Sequence, residues 1–351
     1  MGPRSLASFL EAIEREINEY EGSALAMVGF ASLYEFDPAS KGRRGDIRVL
    51  QGRRFETSEG NPIRTRIQVT PDLAIQVGAD MGSIAELQIG LPRDEGHWAS
   101  SLEQIRKYDD DLLGWVTGTE KLDRHDIIYL IEVNRGPRFA EYVGEQSTAG
   151  GWVFQRPFAV VSFTRSNLQL KEFLQYRLET GAMLDAGLAG RLKHVISVPL
   201  VHSAVGYSAR KLWDCRPPDC YLLFLAWQDV VLPKAADSAA YARAHVNAPV
   251  TVELNVEEVQ RTLEQYYSFT PTNGDPRQPT VPDRSWIRSA LGLLHNDGVL
   301  TWTDQTQGMA KVRFKKSYGL EYFKKLDAQA RLEAAVKESQ TELFIEKPQP
   351  E

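Results

Sequence analysis

Two carboxylates, Asp72 and Glu86, stand with thirteen residues between them, and Gln88 follows two positions after the second. Residues 73–77 (LAIQV) and 84–89 (IAELQI) read as strands separated by a tight turn from Gly78 to Ser83. If those strands run side by side, Asp72 and Glu86 become near-neighbours across the pair. Two hard oxygen ligands so placed suit Mg²⁺, which typically takes one or two protein carboxylates and keeps several waters. A cation held there can grip a phosphodiester beside an activated water while the charge building on phosphorus is neutralised. The chemistry expected is phosphodiester hydrolysis with Mg²⁺ or Mn²⁺. Each residue also has a plainer reading. Asp72 after Pro71 suits a turn. Glu86 lies among Ile84, Ala85, Leu87 and Ile89, where a carboxylate is costly to bury unless paired or metal-bound. It could instead share a solvated face with Gln88.

The elements that must position these groups can be read from periodicity. Residues 5–21 form an amphipathic helix with Leu6, Phe9, Leu10, Ile13, Ile17 and Tyr20 on one stripe. Residues 24–36 and 63–69 have strand character, around a polar turn at 40–46. Residues 99–117 are expected to be helical, with Gln104 and Tyr108 one turn apart, a spacing that also fits an ordinary surface pair. The nearly continuous apolar run 126–133 suits a buried parallel strand reached by a helical crossover. Strand 158–164, helix 168–184 and strands 194–201 and 221–227 continue one mixed α/β unit over residues 1–235.

Pro71-Asp72 with Glu86-Leu87-Gln88 resembles the PD-(D/E)xK signature of the restriction-endonuclease-like nucleases. Gln104-x-x-x-Tyr108 resembles an accessory motif of their RecB-like members. The resemblance covers about residues 1–135. It implies an α/β fold, a mixed central sheet of restriction-endonuclease-like type flanked by helices. It implies Asp72 and Glu86 as metal ligands, the Leu87 carbonyl completing the shell, and Glu16 as a first-helix acid beside the metal. Gln88, Gln104 and Tyr108 take the remaining catalytic positions. Gln88 stands where the family usually has lysine, so a dipole replaces a positive charge. Three readings stay open: glutamine serves as it stands, Lys107 or Arg106 reaches in from nearby, or the core is inactive.

Downstream, helix 255–268 begins at Asn255 as a cap. A proline-rich connection spans 270–284, and helix 285–296 ends at Asp297-Gly298. Strands 299–303 and 310–315 close a smaller winged-helix-like C-terminal domain, residues 250–320, before a charged helical tail at 321–351. Val281 to Lys325 carries eight basic and four acidic residues. Arg284 and Arg288 on the second helix, with Lys311, Arg313, Lys315 and Lys316 on the hairpin, are the expected contacts to double-stranded DNA. The resemblance implies a restriction or phage-defence role, as a homodimer or within a larger complex. The alternative is an inactive nuclease-fold subunit that binds nucleic acid or assembles with protein.

Composition narrows the classes. The chain has 351 residues, 42% hydrophobic and 25% charged, enough to bury a real core. Its net charge of −6 means that nucleic acid must be met by a local basic surface rather than a global field. Cys215 and Cys220 give neither a zinc set nor a disulfide framework and read as free thiols. His97 follows the motif strand in a Pro/Gly-rich stretch that reads as a plain loop or a DNA contact, and His194 and His202 have no evident ligand partners. No Walker loop and no GxGxxG before a helix point to ATP or NAD. No apolar run is long enough to span a membrane, and the N-terminus is not a signal peptide, so a cytoplasmic protein is expected.

Overall fold

The computed structural model describes residues 5–37, 42–43, 47–57, 68–89, 95–115, 122, 124–148, 150, 153–168, 171–199, 212, 215–237, 250–268, 275–315 and 317–345. The elements are, in order, α1 (Leu6–Glu35), β1 (Phe36–Asp37), β2 (Gly42–Arg43), β3 (Ile47–Gln51), β4 (Phe55–Thr57), β5 (Gln68–Val69), β6 (Leu73–Val77), β7 (Met81–Gln88), α2 (Glu95–Arg106), β8 (Leu112–Leu113), β9 (Arg124–Glu132) and α3 (Gly136–Thr148). There follow β10 (Phe158–Leu168), β11 (Lys171–Gly181), α4 (Ala186–Leu192), β12 (Ile196–Pro199), α5 (Asp219–Ala226), a π-helical turn (Trp227–Val231) and α6 (Leu232–Ala236). The last are β13 (Val250–Asn255), α7 (Val256–Tyr267), α8 (Arg284–Asn296), β14 (Leu300–Asp304), β15 (Met309–Phe314) and α9 (Leu320–Ile345). The chain divides into two compact units. One, the sheet unit, is Glu21–Asp214 with Phe269–Thr280. The other, the hairpin unit, is Met1–Tyr20, Cys215–Ser268 and Val281–Glu351.

The sheet unit is α/β. Its seven-stranded mixed sheet has the order β12-β11-β10-β9-β7-β6-β3. β7, β9 and β10 run parallel, and the outer pairings are antiparallel. Parallel neighbours need crossovers, and α2 and α3 supply them. Both helices cover one face: Leu102, Ile105, Phe139 and Val143 share a core with Ile84, Ile127, Tyr129 and Val160. The sheet-unit part of α1 covers the other face. There the Tyr34 hydroxyl donates to Ser83 Oγ at 2.9 Å and Tyr176 donates to the Ala26 carbonyl at 2.6 Å. Gly181, at φ +96°, ends β11 where a Cβ would collide with the Phe158 carbonyl, so only glycine fits.

In the hairpin unit, β13, β15 and β14 form an antiparallel sheet in that order. α7 is capped by Asn255, whose side chain accepts from Glu257 N at 2.8 Å, and α8 by Asp283. Ile287, Leu291 and Leu294 of α8, Val259 and Leu263 of α7 and Val312 of β15 are buried apolar residues of this unit. Trp227 stacks on Phe314 at 5.3 Å between centroids and meets Phe323 edge-on at 5.3 Å.

Several sequence expectations are overturned. Residues 24–35 continue α1 rather than forming a strand. Ala24, Ala26, Met27, Phe30, Ala31, Leu33 and Tyr34 are all buried, and a helix enclosed on most sides has the same unbroken apolar pattern as a core strand. Residues 221–227 belong to α5 and the π turn, not to a strand, because Pro217 and Pro218 precede Asp219 and start a helix. The expected helix 168–184 is instead the second arm of the β10–β11 hairpin. Its Phe173, Tyr176 and Thr180 favour strands, and cross-strand pairing decides against its leucine stripe. α2 stops at Arg106, short of residue 117. Lys107 N and Tyr108 N bond back only three residues, to the Gln104 and Ile105 carbonyls, and Asp109 turns away to accept from Gln155 N and Arg156 N. Of the expected strand 63–69, only Gln68–Val69 falls within the described residues, and it pairs with β4 in a small separate sheet. Cys215 and Cys220 are free thiols, as expected. Among the described residues no helix is long and apolar enough to cross a membrane.

Candidate active site

The β6–β7 hairpin pairs Leu73 with Ala85, so the next rung places residue 72 opposite residue 86. The side chains confirm the juxtaposition. Asp72 N–H donates to Glu86 Oε2 at 3.2 Å, and Leu87 N–H donates to Asp72 Oδ2 at 2.8 Å. Each carboxylate is thus tied to the backbone of the other's strand. Alternation along β7 puts Glu86 and Gln88 on the face that Ile84 shares with α2.

From that face α2 and its following turn reach down to Glu86. Gln104 Nε2 donates to Glu86 Oε1 at 2.5 Å. The Tyr108 hydroxyl donates to the same oxygen at 2.5 Å, and lies 3.3 Å from the Thr70 carbonyl. A phenol has one proton, and the shorter contact to a carboxylate claims it. Burial, followed by the negative charge of Glu86, raises the Tyr108 phenol well above its ordinary range. Tyr108 is therefore a fixed donor and not a base. Glu86 is only 6% exposed, and these three hydrogen bonds are what make its burial tolerable. Tyr108 lies in the turn after α2, not on the helix itself, so its reach depends on where the helix stops.

Gln88 is half-buried, and its Oε1 lies 3.4 Å from the Tyr129 hydroxyl. Tyr129 is opposite Glu86 in the parallel β7–β9 pairing and stacks on Phe139 at 4.5 Å. Burial first, then the charges of Glu86 and Asp72, push its phenol up to about 12 against a hydrogen bond from Ser101. Sequence reasoning passed over Tyr129 and Ser101. The one available signal was a tyrosine inside an apolar strand, since a buried phenol generally needs a polar partner.

The remaining expected site residues lie elsewhere. Lys107 is exposed, and among the described residues its ammonium makes no hydrogen bond or ion pair. Glu16 belongs to the hairpin unit, where Arg331 grips both its oxygens at 2.8 Å while also bonding Asp327 at 2.9 Å. Arg284 donates to Gln260 Oε1 at 2.9 Å and pairs with Glu257 at 3.4 Å. Arg288 is spent on the β14–β15 turn, donating to the Gln305 and Thr306 carbonyls. Lys311 pairs with Glu253 across the β13–β15 register at 3.5 Å. Arg313 is exposed on the same sheet face, and Lys315 sits 5.6 Å from the Tyr318 ring centroid. Lys316 and His202 lie outside the described residues, as does the side chain of His97.

Two carboxylates are hard oxygen donors of the kind Mg²⁺ accepts, and a site lacking cysteine and histidine is a poor one for zinc. No group of three or more His, Cys, Asp or Glu able to hold a metal occurs among the described residues. Asp72 and Glu86 are the side chains here that could hold such an ion. No family model, curated protein or solved structure matches the chain.

Proposed function

We propose that the protein is a Mg²⁺-dependent nuclease that hydrolyses phosphodiester bonds in DNA, with Asp72 and Glu86 as its metal-holding acids. One observation carries the reading: the hairpin register and two backbone hydrogen bonds bring these carboxylates together under Gln104 and Tyr108. The mixed sheet with helices on both faces supports a restriction-endonuclease-like core. When bound, Mg²⁺ would neutralise the scissile phosphate and lower the pKa of a water beside it. Asp72 and Glu86 would hold that charge. Tyr108 and Gln104 would fix the Glu86 carboxylate so that no reorganisation is needed during reaction. Gln88 would offer a dipole to the phosphate.

The hairpin unit supports a DNA-binding role by its element order. A helix, a strand, two helices and two strands with sheet order β13-β15-β14 is the order of a winged helix. Arg284 and Arg288 are held within the protein, so we assign the duplex contact chiefly to Lys311 and Arg313 of β15. A homodimer or a larger defence assembly in the cytoplasm would suit this activity, and free thiols suit that compartment.

A second reading has an observation of its own. Glu86 is already satisfied by three protein donors, and Gln88 stands in a lysine position. Both fit an inactive nuclease-fold subunit. Incubation with plasmid DNA and Mg²⁺ or Mn²⁺, beside Asp72→Ala and Glu86→Ala, separates the two. Cleavage by the wild type alone is expected. Cleavage that persists in both variants overturns the site, and a wild type that neither cuts nor binds Mn²⁺ leaves the inactive subunit.

A further inference from the structure

Glu86 and Gln88, two side chains on one face of β7, have different partners. Gln104 of α2 and Tyr108 of the turn after it grip Glu86 directly. The Tyr129 hydroxyl of the neighbouring strand β9 faces Gln88 Oε1 at 3.4 Å. Tyr129 has little freedom. It is buried, its neighbour in the sheet is Glu86, and its ring stacks on Phe139 with 29° between planes.

A carboxamide has two unlike ends. Its oxygen accepts, and its NH₂ donates. Lysine has only donors, so a glutamine can stand in for it only if the NH₂ end is the one turned to a phosphate. Beside Asp72 and Glu86, an oxygen turned the same way would add a third negative pole facing an anion. The Tyr129 hydroxyl donates to the Gln88 side chain, and a donor selects the carboxamide oxygen. We infer that Tyr129 is a positioning residue that fixes the Gln88 carboxamide with its oxygen toward Tyr129 and its NH₂ as the group offered to a phosphate oxygen. The inference rests on the nuclease reading for the phosphate. The orientation itself is a property of the protein alone.

The test is a double-variant cycle with a spectroscopic arm. In ¹⁵N-labelled full-length protein, the Gln88 NH₂ resonances are identified by their loss in Gln88→Glu. Tyr129→Phe is expected to move them and to speed their exchange with solvent, with an unchanged thermal midpoint as control for the fold. In plasmid cleavage, Tyr129→Phe is expected to lower kcat about tenfold with Mn²⁺ affinity unchanged. In the Gln88→Lys background the same change should cost less than twofold, because an ammonium has no end to orient. Equal losses in both backgrounds would make Tyr129 a mere packing residue and overturn the inference. Unmoved Gln88 resonances would overturn it regardless of activity. A wild type that neither cuts nor binds Mn²⁺ defeats the nuclease reading instead, and the resonances then decide the Tyr129–Gln88 orientation alone.

Discussion

Three donors converge on the Glu86 carboxylate, and each can be removed separately. Tyr108→Phe keeps the ring that packs with Ile105 and Leu102 but leaves Oε1 with Gln104 as its remaining side-chain donor. A buried acceptor that loses a donor costs about 1–3 kcal/mol, and urea unfolding should register a loss of that size. A value near zero would mean that water replaces the phenol and that Glu86 is less enclosed than its 6% exposure implies. Because burial and the Glu86 charge hold the Tyr108 phenol well above its ordinary range, the variant should lower the cleavage rate without moving either limb of the pH profile. A shifted limb would make Tyr108 a proton carrier rather than a fixed donor.

At the scale of elements, β9 carries two buried ionisable groups near its start, on opposite faces. His125 shares a 2.7 Å hydrogen bond with the Tyr108 carbonyl, and burial pulls it down to about 4. Asp126 faces α1, accepts from Leu184 N at 2.8 Å, and burial pushes it up to about 6 despite that bond and one from Ser83. A folded carboxyl whose pKa lies above its unfolded value of about 3.9 favours the fold below that value, and the benefit is lost as pH rises through about 6. The wild type should therefore lose on the order of 2–3 kcal/mol relative to Asp126→Asn between pH 4 and pH 7.5. Urea titrations of both proteins across that range measure it, and a difference that stays flat with pH would refute it. His125 acts the other way, its contribution being lost as pH falls toward about 4, but it is common to both proteins and cancels. The same elements mark how far the sequence could be read. Alternation in 84–89 and the unbroken run 126–133 were legible because a strand's register follows from its own side chains. So was the pairing of Asp72 with Glu86, which needs only a hairpin. The ends of α2 and the identity of 24–35 and 221–227 were not, since an apolar run enclosed on all sides has no periodicity to show. Tyr129 was hidden for a related reason: its partner Gln88 lies on a parallel neighbour 41 positions away in sequence.

For the molecule as a whole, a net charge of −6 means that any duplex is held by a small basic surface against a repulsive field. Each phosphate contact contributes a slope of roughly −0.9 to log K against log salt. Replacing Lys311 and Arg313 together by alanine should flatten that slope by about 1 to 2, measured by fluorescence anisotropy of a labelled duplex. The smaller value is expected if Glu253 already offsets Lys311. An unchanged slope would move the DNA contact off β15. The two-unit division also bears on how the chain is born. The first helical turns, residues 6–20, pack within a unit whose other parts begin at Cys215. Glu16 meets Arg331 only across a separation of 315 residues. At ribosomal speeds of about 5–20 residues per second, that partner is synthesised some 15–60 s later. Until the residues from Cys215 onward are made, Ile13, Ile17 and Tyr20, all buried in the finished protein, lack the rest of their own unit. Most of the sheet unit, Glu21–Asp214, is therefore synthesised while that apolar stripe still awaits the segment from Cys215 onward that joins its unit.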